Sequence, residues 1–137
     1  MSHKTDVIII GAGPVGLFAV FELGLLNLKC HLIDNLDKIG GQCSELYPEK
    51  PIYDIPAYPK IYGQELTDNL MLQVKPFEPV FHLNQQAESI LKVNDGWQVV
   101  TTEGTIIVAK CIVIAAGAGS FVPRRPPLEN IKIYEDK

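Results

Sequence analysis

The sequence predicts an α/β fold, a parallel sheet with helices that carries a small antiparallel β-meander. Three observations lead there. The β-branched run Val7-Ile8-Ile9-Ile10 breaks into a glycine-rich turn, a helix-like stretch and a second apolar strand. The region from Val80 to Ala115 alternates in strand fashion around the turn signals Asn94-Asp95-Gly96 and Glu103-Gly104. A second buried-type run, Ile112-Val113-Ile114, then closes that region. Continuous β-branched runs suit a parallel strand covered on both faces, and residues tolerant of positive φ between alternating segments read as hairpin turns.

Taken in order, Val7 to Ile10 forms the first strand and Gly11 ends it. From Pro14 to about Leu26 the chain is helix-like, with Pro14 pre-set for a first helical position and Gly13 as cap. Lys29 to Ile33 is a second short strand ending at Asp34, which completes a strand-helix-strand unit of the expected size. Asn35 to Tyr62 loses periodicity and collects glycines, prolines and tyrosines, a long aromatic loop of the kind that usually has a function. Gly63 to about Val74 reads as a helix with Leu66, Leu70 and Val74 on one face, stopped by Pro76. Strands follow at Val80 to Leu83, Ala87 to Val93, Trp97 to Thr102, Thr105 to Val108 and Cys111 to Ala115.

Composition narrows the function classes. The chain has 137 residues, 12 Lys+Arg against 16 Asp+Glu for a net charge of −4, 47% hydrophobic residues and 20% charged ones. That is one globular domain, too apolar for a disordered tail and too acidic to wrap nucleic acid. Three cysteines without a CxxC pair point to reduced thiols in a cytoplasmic protein, not a disulfide framework. Glycines and Glu22 interrupt the apolar stretch from Val7 to Leu28, so no membrane span is expected. His3, His31 and His82 are scattered, without carboxylate or cysteine companions at ligand spacing, and no metal is assigned. Cys30 and Cys111 fall in strands and are expected as small core residues.

Gly11-Ala12-Gly13-Pro14-Val15-Gly16 is G-x-G-x-x-G, set directly after a strand and opening a helix. In that context Gly11 permits the tight turn, Gly13 admits a pyrophosphate against the backbone, and Gly16 lets the helix lie close on the strand. The unpaired amides and positive dipole end of the helix then hold the phosphate charge. Asp34, at the end of the second strand, is placed to accept hydrogen bonds from an adenosine ribose, and its charge disfavours a 2′-phosphate there. This is a Rossmann-like dinucleotide site suited to FAD or NAD rather than NADP.

The fingerprint, the Gly40-Gly41 step, the meander insertion and the Ile112-to-Gly117 return strand resemble the first FAD-binding segment of the two-dinucleotide-binding-domain flavoproteins. Within that superfamily, Gly40-Gly41-Gln42-Cys43-Ser44-Glu45-Leu46-Tyr47-Pro48-Glu49-Lys50, followed by Ile52-Tyr53-Asp54-Ile55-Pro56, is similar to the thioredoxin-reductase-like ferredoxin–NADP reductases. The resemblance implies that Gly11, Gly13, Pro14 and Gly16 cradle FAD and that Asp34 meets its ribose. It further implies Gln42 on the flavin or its ribityl side, Tyr47 stacked on the isoalloxazine ring, Ala87 at the adenine through its main chain, and Phe121 near the flavin. Cys43 matches the first member of a redox pair found in the glutathione reductase branch, but Pro48 stands in the second place, so no disulfide relay is expected.

The function so implied is the flavin half of a ferredoxin–NADP reductase, passing electrons between NADPH and ferredoxin through FAD, with no catalytic side chain assigned. Residues 1–137 are expected to be the first segment of an FAD-binding domain, without the family's NADPH-binding domain and C-terminal closing segment, as in a fragment or a split half. Ferredoxin or a similar carrier is the implied partner, with a homodimer or a complementing half-chain as further expectations. A thioredoxin reductase FAD domain, a non-catalytic flavin-binding module and a gene remnant are the alternatives.

Overall fold

The computed structural model describes residues 2–120. It opens with β1 (Ser2–Lys4), a polar triplet with no strand pattern of its own, followed by β2 (Val7–Ile10) and α1 (Pro14–Leu25). Helix α1 ends where Asn27 takes a left-handed φ of 59° and the Leu28 amide donates to the Leu23 carbonyl, satisfying the last turn. β3 (Cys30–Ile33) completes the first unit. The long aromatic loop is more ordered than its sequence suggests, since it holds the short helix α2 (Gln42–Glu45) and the antiparallel pair β4 (Pro51–Ile52) and β5 (Ile61–Tyr62). Next comes α3 (Gly63–Val74), whose start is tied by the Tyr62 amide donating to Glu65 Oε2. The helix tightens into a 3-10 turn over Lys75–Phe77, where Pro76 lacks the amide to continue it. The remaining strands are β6 (Val80–His82), β7 (Ala87–Val93), β8 (Gly96–Thr101), β9 (Ile106–Ala109) and β10 (Cys111–Ile114).

Two four-stranded sheets result, a parallel one in the order β10-β2-β3-β6 and a meander sheet in the order β1-β9-β8-β7. In the first, Ile8 pairs with His31 and with Ile112, so the β-branched runs lie side by side. One face of the parallel sheet, with Val7, Ile9, Cys30 and Leu32, packs on Leu17 and Val20 of α1 and on Leu66, Leu70 and Val74 of α3. The other face, with Ile8 and Ile33, packs on Val99, Ile107 and Ala109 of the meander. Sheet β2-β3 is thus covered on both sides, which is why its strands are apolar apart from His31.

Three expectations need correction. Ile112-Val113-Ile114 is not a fully buried strand, because β10 is the sheet's edge among the described residues; Ile114 is 72% exposed. Cys111, expected in the core, is exposed on that same edge strand, whereas Cys30 is buried as expected. The three histidines are not scattered, because β1, β3 and β6 bring their rings together.

Candidate dinucleotide-binding groove

The C-terminal ends of β2 and β3 and the first turn of α1 meet in an open groove of about 760 Å³. Its floor is the glycine turn. Gly11 has φ of 109°, a conformation that L side chains rarely adopt, and its amide donates to the Ile33 carbonyl at 2.8 Å. A Cβ at Gly16 would overlap the Gly11 carbonyl, so this glycine sets the helix-to-turn distance from behind and does not line the groove. A Cβ at Gly13 would find only Gly41 Cα, at 3.9 Å, leaving open space where a ligand can approach the backbone.

The N-terminus of α1 receives no side-chain cap and has no acidic residue in its first turn, with Pro14 just inside. Its orphan amides and positive dipole end therefore face the groove uncompensated. Among the described residues Asp34 supplies the only carboxylate that lines the groove. It accepts the Ala12 amide at Oδ2 (2.7 Å) and the Leu36 amide at Oδ1 (3.0 Å), tying the glycine turn to the end of β3. A carboxylate has about four acceptor positions, so two remain for hydroxyl donors.

The opposite wall comes from the Gly40-to-Tyr47 segment. The Gly40 amide donates to the Ala12 carbonyl at 2.9 Å, and Gly41 takes φ of 58° against Gly13. Behind this wall the buried Ser44 hydroxyl donates to Thr67 Oγ1 at 3.2 Å, and Thr67 in turn donates to the Gly63 carbonyl. Gly63 lies close under Cys43 and Tyr47, where a Cβ would come within 2.7 Å of both carbonyl oxygens. Helix α3 is thus the platform that holds Gln42 and Tyr47 in place. The Tyr47 hydroxyl donates to Gln42 Oε1 at 3.2 Å, and the Lys50 ammonium lies 5.1 Å from the Tyr47 ring centre. On the outer side Lys38 pairs with Glu45 at 2.9 Å, and that hydrogen bond pushes the Lys38 ammonium above its usual range.

Gly11, Gly13, Pro14, Asp34, Gln42, Tyr47 and Ala87 all line the groove, while Phe121 lies outside the described residues. Gln85 and Gln86, and the turn from Ala115 to Ser120, also line it; the sequence assigned them no site role, although Ala115 to Gly117 belong to the return strand that carried the resemblance. The Ala115 amide donates to the Ile10 carbonyl at 2.8 Å, extending the β2-β10 ladder into the wall. Cys43 borders the groove as a free thiol, and burial pushes its pKa above the ordinary value, so it stays protonated near neutrality. Among the described residues no group of three His, Cys, Asp or Glu side chains could hold a metal ion, and no helix is long and apolar enough to cross a membrane.

The chain as a whole is similar to known proteins. A ferredoxin–NADP reductase from Bradyrhizobium sp. (strain BTAi1) is 63% identical over 133 residues, covering 96% of this chain and 39% of that protein. The ferredoxin–NADP reductase of Rickettsia felis is 61% identical over 137 residues, covering 100% of this chain and 41% of its own length. The chain spans about two fifths of the length of these curated relatives. The solved thioredoxin reductase of Lactococcus lactis superposes with a TM-score of 0.71 at 23% identity, covering 98% of this chain and 41% of that one, a likeness of fold alone. The resemblance read from the Gly40-to-Pro56 stretch is therefore sound. Since the sequence pattern of the pyridine nucleotide-disulphide oxidoreductases matches residues 5–136, nearly the whole chain, the chain belongs to that family.

Proposed function

We propose that this chain binds FAD in the groove and forms the flavin-holding part of a ferredoxin–NADP reductase. The observation that carries the reading is the pairing of an open glycine turn at an uncapped helix start with Asp34, whose carboxylate keeps acceptor capacity facing the same groove. In this reading the α1 amides and Gly13 receive the pyrophosphate, and Asp34 accepts the ribose hydroxyls. Ala87 borders the adenine through its main chain, while Gln42 and Tyr47 orient and shield the isoalloxazine. The hydrogen bond from Tyr47 to Gln42 limits rotation of the phenol ring, so the face it offers a planar ligand is pre-set.

A flavin held by Gly13, Asp34, Gln42 and Tyr47 would supply the redox chemistry, accepting hydride from NADPH and passing single electrons to ferredoxin. The protein's own work is to bind, orient and exclude water, and no side chain is required as a general acid or base. The 61–63% identity to ferredoxin–NADP reductases supports this activity and partner. A cytoplasmic setting is proposed on the free cysteines.

Titrating the chain separately with FAD, NAD and NADP, followed by flavin fluorescence and by thermal melting, tests the reading. Saturable binding of FAD, with a raised melting temperature and no comparable effect of NADP, is expected. Absence of FAD binding by a cooperatively folded chain overturns it. Tyr47→Ala is expected to restore part of the quenched flavin fluorescence and to shift its absorption bands; spectra identical to wild type would remove the stacking role.

A further inference from the structure

We infer that His3, His31 and His82 form a proton-operated latch between the two sheets, closed while the imidazoles are neutral and opened by acidification. His31 on β3 and His82 on β6 project from the face of the parallel sheet that the meander covers, since each lies in register with or alternates toward Ile33 and Ile8 of that face. His3 reaches them from β1, the edge strand of the meander sheet. The ring centres lie 5.6 Å (His3 to His31), 5.0 Å (His3 to His82) and 5.1 Å (His31 to His82) apart. This is one triangle of side chains drawn from 3, 31 and 82.

The contact within the triangle depends on protonation state. His31 Nδ1 and His82 Nε2 are 3.0 Å apart, a hydrogen bond in which one nitrogen donates and the other accepts. An imidazolium has two N–H donors and no acceptor, so the bond requires at least one neutral ring. Two charged rings would instead set donor against donor at that distance.

The surroundings offer little to offset such charge. The register neighbours are Ile8 and Val80 for His31, Ile33 for His82 and Ile107 for His3. Strands β2, β8 and β9 carry no charged residue, β6 carries none besides His82, and Lys4 on β1 alternates to the far side of its strand. Glu88 and Lys92 are on β7, at the opposite edge of the meander sheet. Asp34 beyond β3 has its carboxylate engaged by Ala12 and Leu36, and Asp6 beyond β1 accepts the Lys29 amide. Burial first, then His82 and His3, push the His31 pKa down to about 4, and burial with His3 lowers that of His82. Between the ordinary histidine value and these lowered ones the unfolded chain binds protons that the folded chain refuses. The latch's contribution is therefore whole above about pH 6.5 and is lost as pH falls toward 4.

Opening would be felt in two places. Among the described residues β1 pairs only with β9, so loss of the histidine contact leaves it a short strand held on one side. The His82 carbonyl accepts the Asp34 amide at 3.0 Å, so the same event loosens the strand end that carries Asp34.

The test compares urea unfolding of the full chain at pH 7.5 and pH 5.0 for wild type, His3→Gln and the double variant His31→Gln/His82→Gln, with a proton NMR titration of the wild-type imidazoles. The wild-type folded-to-unfolded ratio is expected to drop about tenfold or more between the two pH values, and the double variant to lose most of that drop. The His31 and His82 signals are expected to titrate below the ordinary histidine range, and the β1 amides to exchange before those of β2. An equal drop in wild type and double variant overturns the latch, as does ordinary titration of both imidazoles. The NMR arm decides alone if the double variant does not fold.

Discussion

Gly16→Ala is expected to destabilise the chain by about 2 kcal/mol and to abolish dinucleotide binding. Two effects oppose each other. Alanine gains about 1 kcal/mol over glycine inside a helix. Against this, the new Cβ overlaps the Gly11 carbonyl and sits 3.4 Å from Ile9 Cγ2, an overpacking cost of about 3 kcal/mol. The neighbour cannot yield cheaply, because it is backbone in a turn already held by the Gly11 amide on Ile33 and crowded by the Ala115 carbonyl. The strain must move α1 or the turn, and either motion displaces Gly13 and the helix amides from the groove. Urea unfolding and FAD titration of the variant check this, and a wild-type midpoint with wild-type affinity would show that the turn has slack and that Gly16 has no such role.

Asp34→Ala is expected to lower FAD affinity by about 2 kcal/mol, roughly thirtyfold, as befits loss of charge-assisted hydrogen bonds to the ribose. The structure adds a second effect that the motif alone does not suggest. Asp34 also receives the Ala12 and Leu36 amides, so its removal strips a part-buried turn of two acceptors and costs about 1–2 kcal/mol of stability before any ligand is added. Asp34→Asn keeps one acceptor oxygen and should recover part of the stability while leaving the affinity low. Calorimetric titration beside chemical unfolding separates the two effects, and unchanged affinity in Asp34→Ala would remove this residue from the site.

Much of the groove was legible because its chemistry is local. The turn between Gly11 and Gly16 is defined by residues a few positions apart, and Asp34 is found by counting to the end of the next strand. Gln42 and Tyr47 were reached only through resemblance, since nothing in their immediate sequence announces a groove wall. Gln85 and Gln86 escaped, as did the place of the Ala115-to-Ser120 turn in the groove wall, because they arrive from distant strands whose local patterns report burial and not proximity.

The sequence by itself determined β2, α1, β3, α3 and the meander strands, because hydrophobic period, glycine turns and proline stops act within a few residues. It also determined the dinucleotide fingerprint and the family likeness. Tertiary structure decided the rest. Ser2-His3-Lys4 becomes a strand only because β9 offers its backbone edge, and Pro51–Ile52 does so only against Ile61–Tyr62. Ile114 and Cys111 are exposed in spite of their apolar run because β10 is the edge of the sheet among the described residues. The histidines at 3, 31 and 82 meet because two sheets stack, and spacing along a chain carries no record of which faces will come together.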